Sequence, residues 1–461
     1  MGLGKSAQTI SAAVAIQARS ILVISPATLR PNWIREFQKF SNSQISLTAV
    51  EDGRTKPVNH SEISYWVSSY DLVAKNPESY ARPWDLVILD EWHYLKNPET
   101  KRTQAILGSG GVVRKAQRTW GLSGTPMPNH PGELWTLLRA FGATKLRYWD
   151  FVRNYCDTLD TTYGIQIIGA KKEKIPELRS LLSKIMLRRT KEQVMKDLPP
   201  IRFADLVVYP PKEGAPIDML EMAFPRFYMP NNNEDLLFKE LAKEEMLLKA
   251  YMDKLEEAHR ATFNQGELQA MAASIASLRR YTGILKVPAI VDIVSEELTY
   301  NAYSKIVIFA IHSVVIDTLR ERLHDFGAVT LYGKTPMEKR QKHVDKFQTN
   351  PACRVFIGQI QAAGTGITLT AANQVLFAEQ SYVPGENAQA AMRCHRIGQK
   401  NPVLVRTVGL YDSLDERISQ ILKQKMRDIT LLFKMDGLLD ETWSDTYHQE
   451  PQVKDLAKPP K

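Results

Sequence analysis

The sequence predicts an α/β protein: two lobes built on parallel sheets, with a mostly helical insertion between them. Three observations carry that prediction. Over residues 1–145, short apolar runs rich in β-branched residues alternate with helical patterns. The same alternation returns over residues 281–425. Between them, residues 146–280 carry mainly helical patterns, many of them charged.

Composition sets the broad class. The chain has 461 residues, 44% hydrophobic and 24% charged, as expected of a soluble globular protein with several domains. No apolar run approaches the length of a membrane-spanning helix, and the N-terminus lacks a signal-peptide pattern. Cys156, Cys353 and Cys394 stand far apart with no CxxC pair, which argues against a disulfide framework or a zinc site. That usage fits a reducing, cytoplasmic setting, and no membrane partner is expected. A net charge of +9 admits a polyanionic partner such as nucleic acid; a solvated basic surface is the alternative.

In the first lobe, "SILVISP" (20–26), "WDLVILDE" (84–91) and "RTWGLSGTP" (118–126) read as buried parallel strands. Ligands of parallel α/β sheets bind beyond the carboxyl ends of the strands. Those ends are Ser25-Pro26, Asp90-Glu91 and Ser123-Gly124-Thr125, so three strands deliver polar groups to one edge. Residues 146–200 read as mostly helical, with an irregular segment "DTTYGIQIIGAKKEK". "YPPKEGAPIDML" (209–220) reads as a linker or loop, and residues 233–280 as charged helix. The second lobe shows strands in "KIVIFAIH", "AVTLYG", "CRVFIGQI", "QVLFAEQ" and "PVLVRTVGL". Residues 426–461 read as a C-terminal helix and a loose tail.

Three stretches carry chemistry. In "MGLGKS", Gly2 and Gly4 let the backbone approach an anion, and a helix starting near Lys5 aims its N–H groups at phosphate. Lys5 would reach the β- and γ-phosphates, and Ser6 would ligate magnesium. The full pattern G-x-x-x-x-G-K-[ST] needs a residue upstream of Met1, so only its second half is present. A Gly-rich start to a surface helix is the alternative.

In "LVILDEWH", Asp90 would hold magnesium through oxygen and Glu91 would orient and deprotonate water. A surface acidic pair or helix cap is the alternative. In "QAAMRCHRIGQK", Arg393 and Arg396 are three residues apart and share a face on a helix or tight turn. Their guanidinium forks suit phosphate charge, or a basic nucleic-acid-binding surface. Gln389, Gly398 and Gln399 complete a recognisable pattern around them.

Taken in order, "GLGKS", "ISPATLRPNW", "SSYDL", "LDEWHYLKN", "GLSGTPMPN", "MLRRTKEQV…LPP", "LYGKTPMEKRQKHVDKFQ", "AAGTGITLTAANQVLF" and "QAAMRCHRIGQ" strongly resemble the Swi/Snf-type ATPases of helicase superfamily two. The match spans about residues 1–420. "YCDTLDTTYG" and "LRRYTGILKVPAIVD" are most similar to the annealing-helicase branch and its compact bacterial or viral relatives.

The resemblance implies two RecA-like P-loop NTPase lobes with ATP and Mg2+ between them, the first lobe lacking its first strand. That loss is expected to leave an unpaired strand edge. It implies that Glu91, Arg393, Arg396 and Gln389 are catalytic. Gly2, Gly4, Lys5, Ser6, Asp90 and Gly366 would bind nucleotide, with Ser6 and Asp90 on the metal. Ser123, Gly124 and Thr125 would couple hydrolysis to DNA. Ser25, Thr28, Asn32, Trp33, Ser69 and Tyr70 would contact DNA from the first lobe. Gly333, Thr335, Arg340, Gly364 and Thr365 would do so from the second. Thr28, Ser69 and Thr335 also suit turns or caps, and Trp33 a core anchor.

The implied activity is ATP-dependent translocation on double-stranded or branched DNA, without sequence preference, remodelling DNA or DNA-bound proteins. A monomer of phage or bacterial origin is expected. A hydrolysis-deficient DNA-binding remnant and a strand-separating helicase are the competing readings. Two positions depart from the family pattern. Trp92 stands where relatives carry a small residue, and Tyr382 where they carry tryptophan.

Overall fold

The computed structural model describes residues 2–41, 46–50, 52, 63–161, 164–189, 191–211, 265–363, 366–411 and 413–433. The chain forms two compact units. One comprises Met1–Asp157, Gly169–Val194 and Leu431–Leu438; the other comprises Thr158–Ile168, Met195–Thr430 and Leu439–Lys461. Each is α/β, on a parallel sheet.

In the first unit the sheet runs β2-β3-β1-β4-β5. Its strands are β1 (Ser20–Ser25), β2 (Ser46–Ala49), β3 (Ser64–Ser69), β4 (Trp84–Asp90) and β5 (Ala116–Leu122). All neighbours pair in parallel. β1, β3 and β4 are buried almost throughout because both faces are covered. Alternate residues point to opposite faces. Ile21 and Val23 pack with Ile10, Trp33 and Phe37 from helices α1 (Lys5–Ala15) and α2 (Arg30–Phe40). Leu22 and Ile24 pack on the other face with Val73 of α3 (Tyr70–Lys75) and Ile106 of α4 (Lys101–Leu107).

β5 differs. It forms an edge of the sheet, and its residues range from half-buried to exposed. The sequence reading of 118–126 as a buried strand is corrected here: an edge strand lacks a neighbour on one side, and none of the seven β5 residues is buried.

Register sets the site. Ser25 is level with Ser69, Ile24 with Leu89, and Asp90 with Leu122. Four strands therefore bring Ser69, Ser25, Asp90 and Ser123 to one line along the carboxyl edge.

The second unit holds a six-stranded parallel sheet in the order β10-β11-β9-β12-β13-β8. Its strands are β8 (Ile201–Val208), β9 (Ile306–Ala310), β10 (Val329–Leu331), β11 (Val355–Gln359), β12 (Gln374–Phe377) and β13 (Val403–Leu410). The five strands expected from sequence are all present. β8 is additional: residues 201–208 were placed in the insertion, yet they pair along the whole of β13. As an edge strand with one open side, β8 buries only its two ends, Ile201 and Val208, and lacks the continuous apolar run of its neighbours. A second boundary also shifts. The helix Gln265–Thr299 runs unbroken through residue 280, where the insertion was expected to end.

Among its described residues, the segment "DTTYGIQIIGAKKEK" is not irregular. β6 (Cys156–Thr161) and β7 (Gly164–Ala170) pair as a two-stranded sheet. The alternation of Ile165 and Ile167 with Gln166 and Ile168 suits a strand, and Gly164 opens it. The linker and charged helix expected over residues 212–264, the tail beyond 433, Gly364 and Thr365 lie outside the described residues. Among the described residues no helix is long and apolar enough to cross a membrane.

Candidate nucleotide site

The site begins at the N-terminus of α1. Gly4 caps that helix with φ 73°, a left-handed conformation that favours glycine, and Gly2 shares it. A methyl group on Gly4 would meet nothing within 4 Å, so backbone conformation and not space explains the glycine. The first-turn N–H groups of α1 then point away from the helix body, as an anion site requires. Lys5 and Ser6 are half-buried in that first turn, and the Lys5 charge reaches Asp90.

Asp90 ends β4 and is 6% exposed. Oδ2 accepts a hydrogen bond from Trp33 Nε1 at 2.8 Å, and Oδ1 accepts one from the Glu91 N–H at 3.0 Å. Its backbone carbonyl accepts the Tyr70 hydroxyl at 2.6 Å. Burial and the neighbouring Glu91 charge push the Asp90 carboxyl up to about 6, against the pull of the Trp33 hydrogen bond and the Lys5 charge.

Glu91 is unusual twice over. Its φ of 53° is left-handed, which strains a non-glycine residue. Its Oε2 is buried without a hydrogen-bond partner, with His93 Nδ1 3.4 Å away and outside bonding geometry. Strain and an unsatisfied oxygen thus meet at one residue. Beside it, Ser123 follows Leu122 of β5 and accepts the Thr125 N–H at 3.0 Å, so Ser123-Gly124-Thr125 is a closed turn next to Asp90.

A cation fits this arrangement. Two carboxylates stand side by side, one buried with a raised pKa despite the Lys5 charge and one with an oxygen that accepts no hydrogen bond. Among the described residues no group of three or more His, Cys, Asp or Glu is placed to hold a metal. Magnesium does not need one: it takes one or two protein oxygens and completes its shell with water and phosphate.

The indole of Trp92 is accommodated by an absence. Trp92 is buried against Phe141, and a Cβ on Gly121 would lie 2.6 Å from Trp92 Cε3. Gly121 gives the indole its room. The Trp92 Nε1 is buried without a hydrogen bond.

The candidate DNA contacts divide sharply. Asn32 and Gly333 are exposed and Thr28 is half-buried, so they are open to a partner. Ser25, Trp33, Ser69 and Tyr70 are buried, which corrects their reading as direct contacts. Trp33 is 0% exposed and Tyr70 1%, and both are spent on Asp90. Ser69 caps α3, its hydroxyl accepting the Leu72 N–H. Thr335 and Arg340 are also structural. The Thr335 hydroxyl accepts the Tyr332 N–H, and the Arg340 guanidinium donates to the carbonyls of Tyr332, Gly333 and Thr335. They close the loop after β10.

In the second unit, Gln389 and Arg393 are buried. Arg393 Nη1 lies 3.4 Å from the Ile367 carbonyl. Arg396 donates to the Met392 carbonyl and to Thr368 Oγ1, each at 3.1 Å. Gly366 has φ 75°, a position that favours glycine. Gln399 is fully committed, donating to the carbonyls of Thr370, Ala372 and Cys394 and accepting two N–H groups.

Two residues were missed. Gln359, the last residue of β11, accepts the Gly333 N–H at 2.9 Å and donates to the Ile311 carbonyl at 3.1 Å. Glu379, just past β12, accepts the Ile311 and His312 N–H groups at 2.8 and 2.9 Å and meets His312 Nδ1 at 2.6 Å. Each is a polar residue ending an apolar strand, the same signal that exposes Asp90.

Comparison with known proteins adds the family. The model of the SNF2-related domain matches residues 1–208, and that of the helicase conserved C-terminal domain matches residues 287–398. The chain thus carries an SNF2-related domain followed by a helicase conserved C-terminal domain. Among curated proteins it is similar to a homolog of SWI/SNF-related matrix-associated actin-dependent regulator of chromatin subfamily A-like protein 1 from Caenorhabditis elegans. They are 30% identical over 92% of this chain and 57% of that protein. It is also similar to human DNA annealing helicase and endonuclease ZRANB3, 29% identical over 92% of this chain and 37% of that protein.

The SNF2-related chain thus spans about half or less of the length of these relatives. Both come from animals, and they lend no support to a phage or bacterial origin. A solved structure of the Sulfolobus solfataricus SWI2/SNF2 ATPase core in complex with dsDNA covers 97% of this chain and 91% of its own, at 21% identity and a TM-score of 0.39.

Proposed function

We propose that this chain is the motor part of an ATP-dependent translocase on double-stranded DNA, acting to remodel DNA or protein–DNA complexes, with annealing as its output. The observation that carries it is the carboxyl edge of the first sheet. There, the Gly4-Lys5-Ser6 helix start, the buried Asp90, the strained Glu91 and the Ser123–Thr125 turn come together. The similarity to a protein named a DNA annealing helicase favours the annealing reading.

In this reading Lys5 would hold the terminal phosphates, and Ser6 and Asp90 would hold a magnesium ion, which would supply neutralisation of phosphate charge. Glu91, with its unpartnered oxygen, takes the proton of the attacking water. Arg393 and Arg396 are candidates for stabilising charge on the transferred phosphate. Asn32, Thr28 and Gly333 are the retained DNA candidates. They reach solvent as an exposed amide, a hydroxyl and a backbone loop, groups that grip phosphate without reading bases.

The test is ATP hydrolysis with and without duplex DNA. Stimulation by duplex is expected, with Glu91→Gln lowering kcat at least about 100-fold, the scale of a lost general base. Hydrolysis equal in wild type and Glu91→Gln ends the assignment. Displacement of a third strand from a triplex, without unwinding of a forked duplex, separates a translocase from a strand-separating helicase.

A further inference from the structure

The geometry points to Trp33 and Tyr70 as positioning residues for Asp90: two side chains from separate helices that fix how this carboxylate faces the magnesium ion. The inference rests on the reading of Asp90 as a metal-holding residue.

An aspartate carboxylate turns easily about its last bond, where the torsion is broad and two-fold. Its direction is therefore set by what each oxygen accepts. Here each acceptor of Asp90 has one donor. Trp33 Nε1 is 2.8 Å from Oδ2, the Glu91 N–H is 3.0 Å from Oδ1, and the Tyr70 hydroxyl is 2.6 Å from the backbone carbonyl. The Glu91 bond is local. The other two cross the sheet, over separations of 57 and 20 residues.

Packing alone does not explain these residue types. Trp33 tilts against Phe37, and Tyr70 stacks on Tyr94. A phenyl ring at either place would keep such ring contacts. Only the indole N–H and the phenol O–H serve Asp90. Metal-ligating carboxylates are commonly held by outer hydrogen bonds of this kind, whose loss costs 10–100-fold in metal affinity.

The placement is also specific. Trp33 lies on α2 next to exposed Asn32, and Tyr70 opens α3 next to its cap, Ser69. Both helices start at the carboxyl edge, α2 after β1, which is next to β4, and α3 after β3, one strand further away, so they reach Asp90 from two different strands.

The experiment uses the full chain, Mn2+ as the probe ion and a non-hydrolysable ATP analogue, with free Mn2+ read by electron paramagnetic resonance. Trp33→Phe is expected to weaken nucleotide-dependent Mn2+ binding at least tenfold while leaving metal-free analogue binding within about twofold. Tyr70→Phe is expected to act in the same direction but less, because it serves the backbone carbonyl and not a carboxylate oxygen. It also carries the test should Trp33→Phe fail to fold. Mn2+ affinity unchanged in folded Trp33→Phe and Tyr70→Phe overturns the inference. A wild type with no nucleotide-dependent Mn2+ binding overturns the reading of Asp90 itself, which is a distinct result.

Discussion

Asp90 and Glu379 stand in matching places. Asp90 ends β4 and Glu379 lies just past β12, and each of these strands neighbours the first strand of its α/β series, β1 or β9. Both side chains are buried, yet their protonation shifts in opposite directions. Burial and the Glu91 charge drive Asp90 up to about 6. Burial acts the same way on Glu379, but the hydrogen bond and charge of His312, its backbone N–H and the Lys286 charge outweigh burial and hold the carboxyl below its usual range. Glu379 is supplied by two backbone N–H groups and an imidazole; Asp90 has an indole, one N–H and another carboxylate at its side. A carboxylate saturated with donors holds the fold together. One short of positive charge keeps capacity for a cation, as the proposed magnesium role requires.

Amide replacement tests that contrast most strongly. Glu379→Gln turns a charged acceptor into a neutral one and is expected to cost about 3 kcal/mol or more, seen as a lower urea midpoint at pH 7. Asp90→Asn removes a penalised charge and is expected to raise stability by up to about 3 kcal/mol, the scale of a two-unit shift, seen as a higher midpoint. The pH dependence follows from the same shifts. Asp90 binds its proton more tightly when folded, so its contribution is full below its ordinary pKa of 3.8 and is lost as pH rises through about 6. The gain from Asp90→Asn therefore fades as pH falls through that window. Glu379 behaves oppositely, its stabilisation full above its ordinary 4.5 and lost as pH falls through its lowered value. Midpoints that move in the same direction for both variants at pH 7 refute the contrast.

The next effect is steric. Gly121→Ala places a methyl group against Trp92 and is expected to cost about 1–3 kcal/mol, most of it recovered when Trp92→Leu is added. Additive losses in that double-mutant cycle would mean that the two positions do not share space.

The smallest effect separates inside from outside along the edge. Ser69→Ala removes a helix cap and is expected to cost about 1 kcal/mol while leaving the salt dependence of DNA binding unchanged. Asn32→Ala, at an exposed position, is expected to leave stability within about 0.5 kcal/mol and to weaken DNA binding. The reverse pattern would return Ser69 to the contact surface.

What the sequence makes legible follows from burial. Central parallel strands are covered on both faces, so they appear as continuous apolar runs ending in polar residues. Asp90-Glu91 is readable for that reason, whereas Ser123–Thr125 follows the edge strand β5 and is read from its motif. β8 is not, because an edge strand needs apolar residues on fewer sides. Trp33 shows a subtler limit. Its spacing from Phe37 marks one helix face, and that face is the buried one, while Asn32 beside it faces solvent. A motif that names neighbouring residues together does not say which of them turns inward. Arg340 shows the limit for charge. A basic helix suggests a polyanion, but three convergent backbone carbonyls claim this guanidinium first, and sequence spacing does not reveal them.

The fit of Trp92 against Gly121 also has a historical meaning. With Gly121 in place, a small residue at position 92 leaves only a gap, which neighbouring side chains can partly close. With any larger residue at 121, an indole at 92 collides with it at once. The two changes are therefore not interchangeable in time. A lineage reaching this pair crosses the gap before the collision, glycine first and tryptophan second. Once both are in place, position 121 is held at glycine for as long as the indole stays at 92.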